Sequence, residues 1–176
     1  DGKISVIDLE NGVSLGSIPE YKLKLRACCF SPDSKRIVIA DQDDHFQVFD
    51  LDRFEAVCIL EGYKGGIDSY DFSPNEQWIV SGCSDRKVRI WDAFNGRLLH
   101  ILDGYTAEVY ACRFLPDGTR IVSASWDHYL RIWDTSSGQS IMNLDGKTIW
   151  LQRCAISPDS RLIVAGGALS LQVWDA

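Results

Sequence analysis

Short apolar stretches that alternate with polar residues, separated by turn sequences, recur along this chain. In one representative portion they predict four strands, over Val109–Leu115, Arg120–Trp126, Tyr129–Asp134 and Ser140–Leu144. β-Branched and aromatic residues are frequent in these strands, and the turn sequence Pro116-Asp117-Gly118 ends the first of them. No window shows a sustained helical period. The pattern therefore predicts an all-β chain of short antiparallel strands.

The strand pattern repeats at a nearly constant interval. Five segments end in two apolar residues followed by aspartate: Val6-Ile7-Asp8, Val48-Phe49-Asp50, Ile90-Trp91-Asp92, Ile132-Trp133-Asp134 and Val173-Trp174-Asp175. The steps between these aspartates are 42, 42, 42 and 41 residues. A turn proline recurs in phase, at Pro32, Pro74, Pro116 and Pro158. Units of four strands that repeat in this way can bury their faces by stacking side by side around an axis.

The period, the Trp-Asp pair and the turn motif resemble the WD40-repeat β-propeller family, over essentially the whole chain. The resemblance implies one propeller segment made of blades with four antiparallel strands each. We expect complete blades at residues 19–60, 61–102 and 103–144, a partial blade at 1–18, and a blade without its outer strand at 145–176.

The number of expected strands limits how the blades can close into a propeller ring. The expected total of about 17 strands is one more than four closed blades need. The first interpretation is that the chain belongs to a larger propeller of about seven or eight blades, which leaves no open sheet edge. The second is a homodimer in which each copy gives four blades to an eight-bladed ring. A self-closed ring of four blades is the third.

The family usually places a histidine before the first strand, where it joins a buried hydrogen-bond set with Ser or Thr, Asp and Trp. Here tyrosine stands at the histidine position. The corresponding sets are Tyr63, Ser81, Asp85 and Trp91 in one unit, and Tyr105, Ser123, Asp127 and Trp133 in the next. We expect the two tyrosine hydroxyls to donate to the two aspartates, because buried carboxylates need partners. The alternative is that each tyrosine only packs, and backbone N–H groups of the turn hold the aspartate.

Composition and charge exclude several classes of function. The formal net charge of −7 gives no general attraction to nucleic acid or to anionic membranes. No apolar run approaches a membrane helix, and the start of the chain is unlike a signal peptide. Three of the six cysteines, Cys28, Cys112 and Cys154, share one repeat position, which indicates packing rather than chemistry. We expect reduced thiols and an intracellular, cytoplasmic protein.

The sequence offers no catalytic constellation. None of the three histidines, His45, His100 and His128, lies in a triad-like context. The acidic residues Asp41, Asp43 and Asp44 lack the alternating oxygen ligands of a calcium loop and are interpreted as a solvated turn. There is no glycine-rich phosphate-binding motif. We therefore expect no enzyme activity, no metal and no cofactor.

A binding surface remains as the candidate functional site. In the resembling family, partners dock on the face that carries the turns between second and third strands. The residues at those positions here are Lys24, Arg26, Gln42, Gly66, Asp68, Ser84, Glu108, Tyr110, Trp126, Trp150 and Gln152. Lys24 and Arg26 make one basic edge, and the three aromatic residues form the expected hot spot. The alternative is that the two tryptophans are tucked between blades.

The leading prediction is a non-catalytic scaffold or recognition module that binds protein partners. Two alternatives stay open. The Ser-Pro-Asp-Ser turn and the Asp-x-x-x-Gly connectors resemble the sensor ends of apoptosome-type nucleotide-binding proteins, which implies a ligand-sensing or autoinhibitory module. A substrate-receptor subunit of an enzyme complex is the other.

Overall fold

The computed structural model describes residues 4–18, 25–41, 46–61, 65–147, 150–167 and 170–175, without the side chains of residues 26, 67 and 68. The described residues form 17 strands and no helix. The strands are β1 (Ile4–Ile7), β2 (Ser14–Ile18), β3 (Leu25–Phe30), β4 (Arg36–Asp41), β5 (Phe46–Asp50), β6 (Glu55–Ile59), β7 (Ile67–Phe72), β8 (Trp78–Cys83), β9 (Val88–Asp92), β10 (Leu98–Leu102), β11 (Val109–Phe114), β12 (Arg120–Ser125), β13 (Tyr129–Asp134), β14 (Ser140–Asp145), β15 (Arg153–Ile156), β16 (Leu162–Gly166) and β17 (Leu171–Asp175).

These strands pair antiparallel in five sheets. β1 pairs with β2, and sheet I (β3–β6), sheet II (β7–β10) and sheet III (β11–β14) each contain four strands in chain order. Sheet IV contains the three strands β15–β17. The predicted all-β fold with repeated four-stranded antiparallel sheets is confirmed. The strand ends predicted for sheet III differ from the observed ends by at most one residue.

The repeated turn between the first two strands is closed by its own side chains in sheets I, II and IV. In sheet I the Ser31 hydroxyl donates to Asp33 Oδ1 at 2.6 Å and accepts the Arg36 N–H at 2.9 Å. Ser73 and Asn75 make the equivalent bond in sheet II at 2.7 Å. Because the side chains satisfy the turn locally, the short Ser-Pro-Asp motif sets the register of the hairpin.

The apolar core lies between the sheets rather than within any one of them. One cluster joins Phe46 and Val48 of sheet I to Phe72, Ile79 and Trp91 of sheet II. A second cluster joins sheets II and III, and a third joins sheets III and IV. The innermost strands β3, β7, β11 and β15 contact one another in succession. The sheets therefore stand side by side as neighbouring blades do.

Side chains also fasten one inner strand to the next. Ser69 Oγ on β7 accepts the backbone N–H of Cys112 on β11 at 3.1 Å, and Asp71 Oδ2 accepts that of Phe114 at 2.9 Å. Cys112 is buried, as a packing role predicts, but Cys28 at the same repeat position is exposed. No inner strand among the described residues covers β3 on that side, so the packing prediction is wrong for Cys28.

Candidate partner-binding surface

Three aromatic rings form one stack where sheet III meets sheet IV. Tyr110 on β11 stacks on Trp126, with 4.5 Å between the ring centroids and 24° between the planes. Trp150, which precedes β15, stacks on Trp126 in turn, at 5.5 Å and 26°. These separations and angles are those of favourable offset aromatic pairs. We call the three residues the aromatic cluster.

The aromatic cluster is open to solvent at one end. Trp150 is 60% exposed, so it is not tucked between sheets, whereas Tyr110 and Trp126 are half-buried. The Tyr110 hydroxyl donates to Glu108 Oε2 at 2.6 Å. The indole N–H of Trp126 is buried and has no hydrogen-bond partner among the described residues. The cluster thus combines an accessible ring face with a donor that lacks an acceptor.

Backbone geometry holds the aromatic cluster in place. The Trp126 N–H donates to the Glu108 carbonyl at 3.0 Å, and the Gln152 N–H donates to the Gly166 carbonyl at 2.9 Å. A β-carbon at Gly167 would collide with the Trp150 carbonyl oxygen. Only glycine lets the two backbones approach so closely, which fixes Trp150 against sheet IV.

The other residues predicted for this surface are described only in part. The Ser84 N–H donates to the Gly66 carbonyl at 3.0 Å, the sheet II equivalent of the bond between Trp126 and Glu108. Lys24 and Gln42 lie outside the described residues, as do the side chains of Arg26 and Asp68. The basic edge on the first blade therefore stays a prediction.

A buried hydrogen-bond set lies beneath this surface in sheet III. The indole N–H of Trp133 donates to Ser123 Oγ at 2.9 Å, and the Tyr105 hydroxyl shares a 2.5 Å hydrogen bond with the same oxygen. Ser123 also donates to the Arg131 carbonyl at 3.3 Å. One serine hydroxyl therefore joins three parts of the blade.

Asp127 has different partners from the one that the sequence predicts. Arg131 binds its carboxylate through two nitrogens, each at 2.9 Å, and the N–H groups of Thr106 and Tyr129 each donate to it at 3.1 Å. The prediction that the Tyr105 hydroxyl donates to Asp127 is therefore wrong. The Arg131 guanidinium lies 4.4 Å over the Tyr105 ring and binds the Asp127 carboxylate. The Tyr105 hydroxyl bonds to Ser123 instead.

Sheet II repeats part of this arrangement. The Trp91 indole N–H donates to Ser81 Oγ at 3.0 Å, and Asp85 pairs with Arg89 at 2.6 Å. Tyr63 lies outside the described residues, so its predicted bond to Asp85 stays untested. The sequence prediction missed both arginines. Their signal was the recurrence of arginine four residues after the turn aspartate.

Burial and hydrogen bonding shift the pKa of Asp127 in opposite directions. Burial raises the pKa of its carboxyl, but the hydrogen bonds from Arg131, Thr106 and Tyr129 outweigh burial and hold the pKa below its ordinary value. Burial raises the pKa of the Tyr105 hydroxyl far above its ordinary value. The carboxylate is therefore charged and the phenol neutral at physiological pH.

Substitution of Tyr105 by phenylalanine is expected to lower the free energy of unfolding by about 1 kcal/mol, because Ser123 loses one buried partner while the ring is kept. Urea denaturation measures this loss. Tyr129→Phe is the matched control, since the Tyr129 ring also faces Arg131 but is exposed. Equal stability of the Tyr105→Phe and Tyr129→Phe chains would contradict the hydrogen bond to Ser123.

Within the described part of the chain, the remaining chemistry-bearing residues do not come together in one cluster. No group of three or more His, Cys, Asp or Glu residues able to hold a metal occurs within the described ranges. His45, Asp43 and Asp44 lie outside them. All six cysteines are unpaired, and burial raises the pKa of the Cys83 thiol to about 12, which keeps it protonated and unreactive. The described residues also contain no helix that is long and apolar enough to cross a bilayer.

Comparison with known families agrees with the strand pattern. The family model of the WD domain, G-beta repeat, matches residues 54–92 and 96–134. Each match covers the outer strand of one sheet and the first three strands of the next, β6–β9 and β10–β13. A search of curated proteins gives no match. The chain therefore carries two WD40 repeats, at residues 54–92 and 96–134, and its three four-stranded antiparallel sheets recur at the same period.

Proposed function

We propose that the chain is a non-catalytic recognition module that holds a protein partner on the aromatic cluster of Tyr110, Trp126 and Trp150. WD40 repeats generally mediate protein–protein interaction. The observation that carries the proposal is the stack itself, which brings three rings from two sheets together and leaves the outermost one exposed. Tryptophan and tyrosine dominate the binding energy of protein interfaces when they sit centrally and become desolvated.

The unsatisfied indole N–H of Trp126 gives the site a polar requirement. A buried donor without an acceptor costs free energy in the unbound protein. A partner that places a carbonyl or carboxylate oxygen near Trp126 would remove that cost, while an apolar or planar group covers Trp150. Glu108 accepts the Tyr110 hydroxyl beside the rings, and we expect Gln152, two residues after Trp150, to add a polar contact at the rim.

We also propose that further blades or a second copy complete the ring, and that the protein is intracellular. Leu171 and Val173 on β17 are large apolar side chains exposed on sheet IV, as on a sheet that normally packs against another. Further repeats or a second copy could cover them, and the mass of the protein in solution distinguishes the two. Unpaired thiols at all six cysteines favour a reducing, intracellular compartment.

The Trp150→Ala chain is expected to fold normally and to lose partner binding by at least 2 kcal/mol, or about thirtyfold in affinity. Partners captured by the immobilised unsubstituted and Trp150→Ala chains are compared by quantitative mass spectrometry, and affinities are measured for those that differ. Ile141→Ala is the matched control, because Ile141 is similarly exposed but lies on the outer strand β14. If the Trp150→Ala chain keeps every partner at unchanged affinity, the aromatic cluster is not the binding site.

A further inference from the structure

A groove of about 490 Å³ opens between sheets II and III, at the ends of the strands opposite to the aromatic cluster. We call it the seam groove. Pro74 and Trp78 line it from sheet II, and Asp117, Asp134, Thr135 and Ser136 line it from sheet III.

The preceding seam, between sheets I and II, shows what this position can hold. There the groove is filled by Arg36, a buried side chain of sheet I. Its guanidinium donates to the carbonyls of Ala93 at 3.3 Å and Glu76 at 3.0 Å, and it pairs with the Glu76 carboxylate at 3.4 Å. The guanidinium carbon lies 4.4 Å over the ring of Phe94. Sheet II thus presents carbonyl oxygens, a carboxylate and an aromatic face to an arginine from its neighbour.

One step of the repeat carries this arrangement onto the seam groove. The 42-residue step relates Arg36 to Trp78, Glu76 to Gly118, Ala93 to Thr135, and Phe94 to Ser136.

The backbone is the same in both seams. Glu76 and Gly118 share the left-handed conformation, with φ of 62° and 70°. Ala93 and Thr135 each donate to the carbonyl of the residue after that turn position at 2.9 Å. The second seam therefore keeps the carbonyl framework that receives a guanidinium but has Trp78 at the position of Arg36, and serine in place of Phe94 leaves space.

A buried hydroxyl in the seam groove lacks a partner. Thr135 is 2% exposed, and its Oγ1 makes no hydrogen bond within the described part of the chain. A protein that needed Thr135 only for packing would lose nothing with valine there, since an unsatisfied hydroxyl costs free energy. The unsatisfied atom therefore points to a ligand that donates a hydrogen bond.

Two carboxylates make the seam groove acidic. Asp134 accepts hydrogen bonds from Ser136 and Ser137 on Oδ1, and these bonds lower its pKa to about 2, so it is ionised. Burial raises the pKa of Asp117, but hydrogen bonds from Thr119 and the charge of Arg120 outweigh it and lower the pKa, so Asp117 is also ionised and Arg120 offsets part of its charge. The groove therefore favours a cationic ligand.

We propose that the seam groove binds an arginine side chain from a basic segment of a partner protein. A guanidinium supplies several donors in a plane, which fits separated oxygen acceptors, and its flat face can stack on the Trp78 indole. An ammonium is a point charge that makes fewer of these contacts. The groove lies apart from the aromatic cluster, so this site and the proposed function can succeed or fail separately.

The test is a titration of the isotope-labelled full chain with N-acetyl-arginine methylamide, followed by NMR. We expect saturable shifts of the Trp78 indole N–H and of the Gly118 and Thr135 amides. The uncharged analogue N-acetyl-citrulline methylamide is expected to bind at least tenfold more weakly. Equal binding of the two probes, or arginine-dependent shifts confined to other parts of the chain, would overturn the proposal.

Two variants sharpen the result. Trp78→Arg supplies the groove with its own arginine, as in the preceding seam, and is expected to weaken probe binding at least tenfold. Thr135→Val keeps the side-chain volume, and is expected to weaken binding several-fold while the midpoint of thermal unfolding does not fall. Trp150→Ala is expected to leave arginine binding unchanged. Unchanged probe affinity in folded Thr135→Val would overturn the role of the hydroxyl, and unchanged affinity in folded Trp78→Arg would overturn the site.

Discussion

Replacement of Asp127 by alanine is expected to lower the free energy of unfolding by about 3–5 kcal/mol, the largest loss of any single charge removal within the described residues. The Asp127 side chain is 2% exposed and that of its partner Arg131 is 9% exposed. The substitution leaves a buried guanidinium without a counter-charge, and it takes the acceptor from the N–H groups of Thr106 and Tyr129. Urea denaturation at neutral pH measures the loss.

The effect of Asp127 also depends on pH with a definite sign. Because its pKa in the folded chain is lowered, the carboxylate stabilises the fold above its unfolded pKa of about 4 and loses that effect as the pH falls through the folded value. The stability difference between the unsubstituted and Asp127→Ala chains should therefore shrink as the pH drops from about 5 toward 2. Asp85→Ala is the matched control, because Asp85 is 19% exposed and its replacement should lower the free energy of unfolding by less. A loss at Asp127 that equals the loss at Asp85 and stays constant with pH would refute the buried pair.

The second large effect is expected at Trp91, whose replacement by alanine should cost about 3–5 kcal/mol. Trp91 is fully buried in the cluster between sheets I and II and meets Phe46 edge-on, with the ring centroids 6.3 Å apart. Thermal and chemical denaturation measure the loss. Trp174 is the matched control, because it holds the same repeat position in sheet IV but is only half-buried. If Trp91→Ala lowers the free energy of unfolding no more than Trp174→Ala does, the cluster between sheets I and II does not depend on the Trp91 ring.

The chain itself supplies a compensating change for this position. In sheet I the Trp position is Phe49 and the Ser position is Ile39, and both lie in one apolar cluster. Trp91→Phe alone should cost about 1–2 kcal/mol, because the Ser81 hydroxyl loses its donor and the ring shrinks. Adding Ser81→Ile should recover part of that loss, because the pair then matches sheet I.

The repeat explains how much of the fold could be predicted from the sequence. A step of 42 residues places every strand once one blade is understood, and the turn motif, as with Ser31 and Asp33, closes the hairpins of sheets I, II and IV with atoms that are close in sequence. Both features are local, so position alone identifies them. The same counting placed Tyr110, Trp126 and Trp150 on one surface, although only the structure shows that the rings touch.

The features that sequence analysis missed depend on distances between strands. Arg131 lies two strand positions from Trp133, yet its role as the partner of Asp127 depends on its guanidinium lying over the Tyr105 ring and reaching the carboxylate in the turn. Substituting tyrosine for the family's histidine pointed to the aspartate, but the longer side chain reaches Ser123 instead. Nothing in the sequence indicated the seam groove. The groove is recognised by comparison with the Arg36 contacts of the preceding seam, and these join residues of different sheets.

Each apolar cluster takes its side chains from two sheets, so the boundary between successive repeats passes through the middle of a core. A cut between sheets II and III would separate Val80 and Ile90 from Phe114 and Trp133, and each fragment would carry half of a hydrophobic interior into water. Cohesion therefore resides in pairs of neighbouring sheets. A gene for such a chain can gain or lose whole steps of the repeat and still present matched surfaces at every junction. Half a step would leave one junction without its counterpart, so the length of the array is expected to change in evolution by complete units.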